Sequence, residues 1–384
     1  MLAWPNGSPL VPRHGGHPIG DSTWAWVFLG LLVAAFVAYV GGVLLARWSP
    51  PRLLAVALIA CAVQLVPLGA PLLLSTDAWA YWAYGRIAAV HDANPYRAEP
   101  DEFPNDPAFR FMGTDWRDST TVYGPAFTLA SEPLARAAGS SADAAAWIYK
   151  SLAAACVLAT AALAARLSRR SALALAFVGW NPLLAVHFAG GGHNDALLAL
   201  LVVGALAAGA AGRRQLAGVC WAVSVFVKWI PLLLLPLRAI EARAQHRRVG
   251  HLGFAIAAVV LLAASFARYG TGWLHAFGPL ARNANHETSW ALPHRLEQLG
   301  VPHGVSIALF GAAFVMAYAW LVREARRGNA RLGLATCAFL LAAPYLVVWY
   351  VVLALPLAAA EDDEPAALLS LVLCAYLLRQ TIPL

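Results

Sequence analysis

The sequence predicts an all-α polytopic membrane protein, a bundle of about ten to twelve helices with a large first external loop. Three observations predict it. Of 384 residues, 60% are hydrophobic and only 12% are charged, where a soluble domain carries about 25% charged residues. Apolar runs of roughly 18 residues or more recur along the chain, long enough to cross a bilayer. The charges are also sorted: nine of the 20 acidic residues lie between Ser75 and Ala142. Most arginines lie instead in short loops, at 47 and 52, at 166 to 170, at 213 and 214, at 238 to 248 and at 323 to 331. That pattern orients those loops toward the cytoplasm. The net charge of +7 therefore reports topology, and nucleic acid is not an expected partner.

Residues 1–22 read as a disordered lead. A single transmembrane domain is expected over 23–384, since the first apolar run is too long for a signal peptide and no small-residue cleavage site follows it. Trp24 to Ala46 is the first span, and Leu53 to Leu74 returns outward. Residues 75–142 form the large external loop. Within it, Asp77 to Val90 predicts a helix along the membrane interface. Asp77, Tyr81 and Tyr84 share one face, Trp79 and Trp82 suit the headgroup level, and Asn94-Pro95-Tyr96 breaks the helix.

Ala144 to Leu167 crosses inward and Ala172 to Phe188 outward. The turn Gly190-Gly191-Gly192-His193-Asn194-Asp195 follows, and Ala196 to Ala211 goes back in. Leu216 to Leu237 has basic loops on both sides, with Lys228 and Pro231 in its middle. A broken pair that enters and returns solves that parity, wherever protein buries the freed backbone; the alternative is one full span. Leu252 to Phe266 goes out. Residues 268–304 form a second external loop carrying Arg282, His286, Glu287, His294 and Arg295. Val305 to Val322 returns. Pro344 divides Leu332 to Ala360 into two helices, with Tyr345, Trp349 and Tyr350 near the outer surface, and Ala366 to Leu378 closes the chain.

All five cysteines sit in apolar runs without metal-ligand spacing. Gly270-Thr271-Gly272 lacks the third glycine of a dinucleotide loop, and no Asp-x-Asp pair offers a metal grip.

An acid at the edge of an apolar segment costs a few kcal/mol when desolvated. Asp77 is thus either a helix cap or a general base at the membrane boundary. Asp101, Asp106, Asp115 and Asp118 read first as solvated loop charges. Arg110 and Arg117 suit a phosphate or pair with neighbouring aspartates. Three glycines allow close backbone approach to a ligand. His193 beside them suits a phosphate or a leaving oxygen, or packs as a structural residue, while Asn194 and Asp195 suit helix capping. Lys228 either snorkels to the cytoplasm or meets an anionic headgroup. Trp273, Trp290, Trp349 and Tyr350 read as an interface belt. On these residues alone, an enzyme acting on a lipid-borne substrate and a transporter both fit.

The order of short motifs adds to this. Ser75-Thr76-Asp77 with Tyr81, Trp82, Gly85 and Asn94-Pro95-Tyr96 resembles the first outer loop of the actinobacterial polyprenol-phosphate-mannose-dependent mannosyltransferases. Asp115 to Pro125, Trp180-Asn181-Pro182-Leu183 with His187 and the GGGHND turn, and Val225 to Pro236 around Lys228 match further landmarks, in order from about residue 72 to 240. The group it resembles most is the α-1,6-mannosyltransferases of the GT-C superfamily. The chain is shorter than the lipomannan enzymes of that group, and its C-terminal third matches loosely.

The resemblance implies a GT-C fold in the plasma membrane with an extracytoplasmic site. It implies transfer of a hexose, mannose first, from a polyprenyl-phosphate donor to a cell-envelope glycan or glycolipid acceptor, with inversion to an α-linkage. Asp77 is then the base. Arg117, His193 and Lys228 are candidates for the donor phosphate. Tyr81, Tyr96, Arg110, Asp118, Tyr123, Asn194 and Asp195 are candidates for substrate contact. No metal or other cofactor is expected. A flippase for lipid-linked sugars is the alternative.

Overall fold

A computed structural model describes residues 8–12, 22–276 and 287–384. The described residues form helices and no strands. Four helices are long and apolar enough to cross a membrane, and a bent pair makes a fifth. Six further apolar helices are shorter. Among the described residues, four or five helices thus qualify as spans by length and composition, and they do not establish the expected number of ten to twelve.

The long helices are α1 (Ser22–Trp48), α5 (Ala142–Leu167), α11 (His251–Tyr269) and α13 (His303–Arg326). They play two parts. The apolar stretch of α5 is 56% buried, against 11% for α13, so α5 is internal while α1, α11 and α13 ring the bundle. Their outer faces carry Leu31, Val37, Leu45, Val259, Val315 and Met316 in the open, a surface that lipid rather than water covers.

The helices α6 (Ser171–Gly179) and α7 (Pro182–Gly190) bend by 44° at their join. Pro182 lacks the N–H that would continue the ladder, and the freed groups find partners locally. Asn181 Oδ1 accepts from the N–H of Leu183 at 2.9 Å and of Leu184 at 3.3 Å. Gln64, on α2 (Leu53–Leu65), is fully buried and donates to the carbonyls of Gly179 and Asn181 at 3.0 and 3.2 Å. A break inside a bundle survives only with such repairs.

Leu216 to Leu237 forms a helical hairpin. Its arms are α9 (Arg214–Val227) and α10 (Pro231–Ala244), and Lys228-Trp229-Ile230 is the tip. Arg214, Arg238, Arg247 and Arg248 line one cavity, so both feet stand at the same end. The broken pair, not the single span, is what the chain forms. Arg47 and Arg170 meet Glu364, and Arg331 meets Asp363, at 2.8 to 3.2 Å. These contacts bring further basic loops together with the acidic turn 361–364.

The loop expected over 75–142 contains α3 (Asp77–Ala89) and α4 (Pro125–Ala138). One expectation fails here. Ala78 through Ala88 are all buried, so α3 does not lie along an interface. Trp82 is fully enclosed, and Trp79 donates its indole N–H to the Ala142 carbonyl at 3.0 Å. An amphipathic reading missed this because Trp79, Tyr84 and Arg86 of α3 find their polar partners in the surrounding chain rather than in water. Arg86, for example, is held between Asp106 and the Gly139 carbonyl.

Most of the expected disorder of residues 1–22 lies outside the described residues. Within the described part, Ser8 to Leu10 are buried, and the Leu10 carbonyl accepts from the N–H of Leu74 at 2.9 Å. The expected site of Arg282 and His286 also lies outside the described residues.

Candidate active site

The site forms where the chain leading into α3 meets the glycine turn before α8 (Asp195–Ala210). Leu73 donates its N–H to the Gly190 carbonyl at 3.0 Å. A Cβ on Gly192 would lie 3.2 Å from Ala78 Cβ, and its φ of +73° favours glycine. These glycines let the turn lie against the start of α3. Below them, the buried Lys150 donates to the carbonyls of Leu68 and Ala70 at 3.2 and 2.5 Å. It thereby holds the end of the short 3-10 turn that precedes Asp77.

The result joins residues 116 positions apart. His193 Nδ1 stands 3.0 Å from Asp77 Oδ2. Tyr81 Oη is 3.3 Å from the same oxygen and 3.4 Å from Asn194 Oδ1, and it accepts the Asn194 N–H. One hydroxyl proton thus serves two oxygens. Asp77 is not the helix cap that its position allowed: Thr76 occupies the N-cap position without a side-chain bond, Ser75 Oγ accepts the Asp77 N–H, and the Asp77 carboxylate turns toward His193. Burial pushes the Asp77 carboxyl up, but the charge and hydrogen bond of His193, with Lys228 and Ser75 in support, outweigh it. The net effect holds the carboxyl below its ordinary value. Burial pushes the Tyr81 and Tyr123 hydroxyls well above the ordinary tyrosine range, so both remain protonated donors.

Asp195 does not cap α8 through its side chain. Its Oδ1 meets Lys228 Nζ at 2.7 Å, with the two side chains 3% and 19% exposed. The hairpin tip therefore delivers Lys228 to the same site, and snorkelling to the far end is ruled out. The ammonium also sits 5.4 Å from the Tyr350 ring centre. At this turn three consecutive residues each carry a buried polar atom with no hydrogen bond: His193 Nε2, Asn194 Nδ2 and Asp195 Oδ2. A buried polar atom normally has a partner, so this cluster is one where a ligand's polar groups fit.

A cavity of about 550 Å³ opens beside these residues, lined by Asp77, Tyr123 and Lys228 on its polar side. Trp116, Ile230, Leu233, Phe339, Tyr345, Trp349 and Tyr350 form much of the rest. The volume and the mostly apolar lining suit a small-molecule site.

Several expectations change. Trp349 and Tyr350 line the cavity and do not form an interface belt. Their signal was present in the sequence as aromatics grouped just after Pro344, and Pro344 and Tyr345 line the cavity too. Arg110 and Arg117 do not line it. They stack on Phe111 and Phe109 with guanidinium to ring-centre distances of 5.0 and 4.7 Å. Their aromatic neighbours in the loop explain that placement. Tyr96 is fully buried, with its hydroxyl between the Tyr123 carbonyl and Thr128 Oγ1 at 2.9 and 2.8 Å. It supports the wall behind Tyr123 and does not reach the cavity. Asp118 is exposed on the loop.

The family model described as "Alpha-(1->6)-mannopyranosyltransferase, N-terminal domain" matches residues 8–243. Alpha-(1->6)-mannopyranosyltransferase A of Mycobacterium tuberculosis (strain ATCC 25618 / H37Rv) is 30% identical over 230 residues. That match covers 54% of this chain and 44% of the relative, so the chain spans less than half of the curated relative it matches. No solved structure matches. Asp77, His193, Asp195 and Lys228 all fall inside the residues matched by the family model, and by that match the chain belongs to the alpha-(1->6)-mannopyranosyltransferase family.

Proposed function

We propose that the protein is a membrane mannosyltransferase of the GT-C type. It moves mannose from a polyprenyl phosphate to a hydroxyl of a cell-envelope glycan or glycolipid, with inversion to an α-linkage. The observation that carries this reading is the contact between Asp77 and His193 at the mouth of a largely apolar cavity, with Lys228 in the same wall.

Asp77 takes the proton of the acceptor hydroxyl as that oxygen attacks the anomeric carbon. Its Oδ2 is held by His193 and Tyr81, which fixes the plane of the carboxylate. A positioned base supplies about 10²–10⁴-fold. The leaving group is a polyprenyl phosphate, whose growing charge needs donors already in place. Lys228 Nζ serves as one, and His193 Nε2 as a second. Asp195 holds the ammonium in the wall, and the phosphate draws on its remaining two N–H groups. The apolar wall of Ile230, Leu233 and Phe339 gives the isoprenoid a dry surface. The basic loops at the end away from Asp77 favour an orientation with that end in the cytoplasm, so the site faces outward in the plasma membrane.

Transfer of radiolabelled mannose from a polyprenyl-phosphate donor, in membranes holding wild type or Asp77→Asn, tests this. The expected result is a loss of about 10²–10⁴-fold in the variant. Equal transfer removes Asp77 as the base. Absence of transfer from any polyprenyl-linked sugar by the wild type sinks the transferase reading and favours a carrier of lipid-linked sugars.

A further inference from the structure

The second polar loop, 268–304, has no part in the chemistry above, yet it gathers a compact set of metal-binding groups. Glu287 precedes α12 (Leu292–Glu297), His294 and Glu297 lie one turn apart on that helix, and His303 begins α13. His294 Nδ1 is 3.1 Å from Glu287 Oε2 and 3.8 Å from Glu297 Oε2. His303 Nδ1 is 3.3 Å from Glu287 Oε1 and 2.8 Å from Glu297 Oε1. One donor atom from each of Glu287, His294 and Glu297 can be chosen so that all lie within 4.8 Å of one another.

We propose that Glu287, His294 and Glu297 bind a divalent metal ion of the zinc type, with His303 holding the outer carboxylate oxygens.

Hydrogen bonding alone serves this cluster poorly. Each imidazole Nδ1 carries at most one proton, yet each faces two carboxylate oxygens. The Glu287 and Glu297 side chains are only 11% and 18% exposed, and two carboxylates so close repel each other unless a cation lies between them. Glu287 Oε1 is buried without a well-formed hydrogen bond among the described residues. Among the described residues, the guanidinium of Arg295 does not neutralise them, since it turns away to Gln298 and Tyr376. One imidazole and two carboxylates, with a further position for water, form a ligand set that zinc accepts at about 2.0–2.2 Å from each donor.

The ion would act at a distance from the reacting atoms. Thr288, next to Glu287, donates its N–H to the Pro344 carbonyl at 3.1 Å. Its hydroxyl exchanges hydrogen bonds with the Leu346 carbonyl and N–H at 2.9 and 3.1 Å. Pro344 and Tyr345 line the main cavity. A metal clip on Glu287 thus ties α12 and the start of α13 to the turn that carries Tyr345, which makes these ligands positioning residues.

The test uses the full-length protein in detergent, stripped with EDTA, loaded with zinc chloride and desalted. Retained zinc is measured by mass spectrometry and stability by thermal unfolding. Wild type should retain about one equivalent and unfold at a higher temperature with zinc than after EDTA. His294→Ala and Glu297→Gln should each retain at least about tenfold less and lose the zinc-dependent shift. Size-exclusion elution at the wild-type position shows that a variant is folded. If His294→Ala is not, Glu297→Gln decides. Zinc retention in a folded variant equal to wild type overturns the proposal, as does a wild-type unfolding temperature indifferent to zinc. Parallel loading with calcium chloride checks the metal class. Retention of calcium in preference to zinc overturns the zinc assignment. None of these readouts depends on sugar transfer, so the mannosyltransferase reading stands or falls separately.

Discussion

The imidazole of His193 lies flat on the indole of Trp349, with ring centres 3.8 Å apart and planes 16° from parallel. The stack fixes the plane of the imidazole, and within that plane the contact with Asp77 Oδ2 selects Nδ1 to face the carboxylate. Trp349→Ala frees the ring and should lower mannose transfer by roughly 10–100-fold through lost orientation. Trp349→Phe keeps a flat partner and should retain most of the activity. Initial rates in membranes, normalised to protein amount, check the order of the three.

A pH profile tests the electrostatics of the same pair. With Asp77 as the proposed base, transfer requires its carboxylate ionised and should be lost as pH falls through the folded-state value of that carboxyl. That value is held below 3.8 because His193 and Lys228 outweigh burial. The acid limb of kcat/KM should therefore lie below the ordinary carboxylate range. In His193→Ala the upward push of burial remains while the main downward influence is gone, so the acid limb should move to higher pH. An acid limb that stays in place in the variant contradicts the assignment of the limb to Asp77.

Lys228 and Asp195 are charges paired out of water, and removing one strands the other. Asp195→Asn or Lys228→Gln alone should cost about 3–5 kcal/mol. The double change Asp195→Asn with Lys228→Gln should cost less than the larger single, because it leaves no orphaned charge. Unfolding in mixed micelles, read by tryptophan fluorescence, gives the comparison. Simple additivity of the two losses would refute the coupling.

Gly124 tests how the loop seats the hairpin. Its N–H donates to the Val227 carbonyl at 3.2 Å, and a Cβ built there would run into the Phe226 carbonyl. Gly124→Ala must push the end of α9 away, and Lys228 moves with it. Both the unfolding temperature and the transfer rate should fall, by about 1–3 kcal/mol of stability for overpacking. Gly139→Ala is the control, since nothing stands within 4 Å of its Cβ. Its φ of +58° still predicts a cost of about 1 kcal/mol, with no loss of transfer.

Much of this was legible in the sequence. Asp77, His193 and Lys228 each stood out because an ionisable group in apolar surroundings needs a reason. Pro231 and the basic flanks marked the α9–α10 hairpin. What sequence could not give was direction. Arg110 and Arg117 had the right chemistry for phosphate, but the nearby Phe109 and Phe111 took their guanidinium faces. Trp79 and Trp82 had the composition of an interface belt, but α4 and α5 covered them. Trp349 looked like another belt residue because its partner, His193, is 156 positions away. Local pattern reports what a residue is able to do; long-range packing chooses among those options.

The cavity has a divided inheritance. Its ionisable side, Asp77 and Lys228, comes from the stretch that the family model covers, residues 8–243. Its aromatic far side, from Phe339 to Tyr350, comes from beyond that stretch. Exchanges of one uncharged residue for another on the far side, Trp349 excepted because it stacks on His193, would reshape the room of the cavity while leaving Asp77 and Lys228 in place.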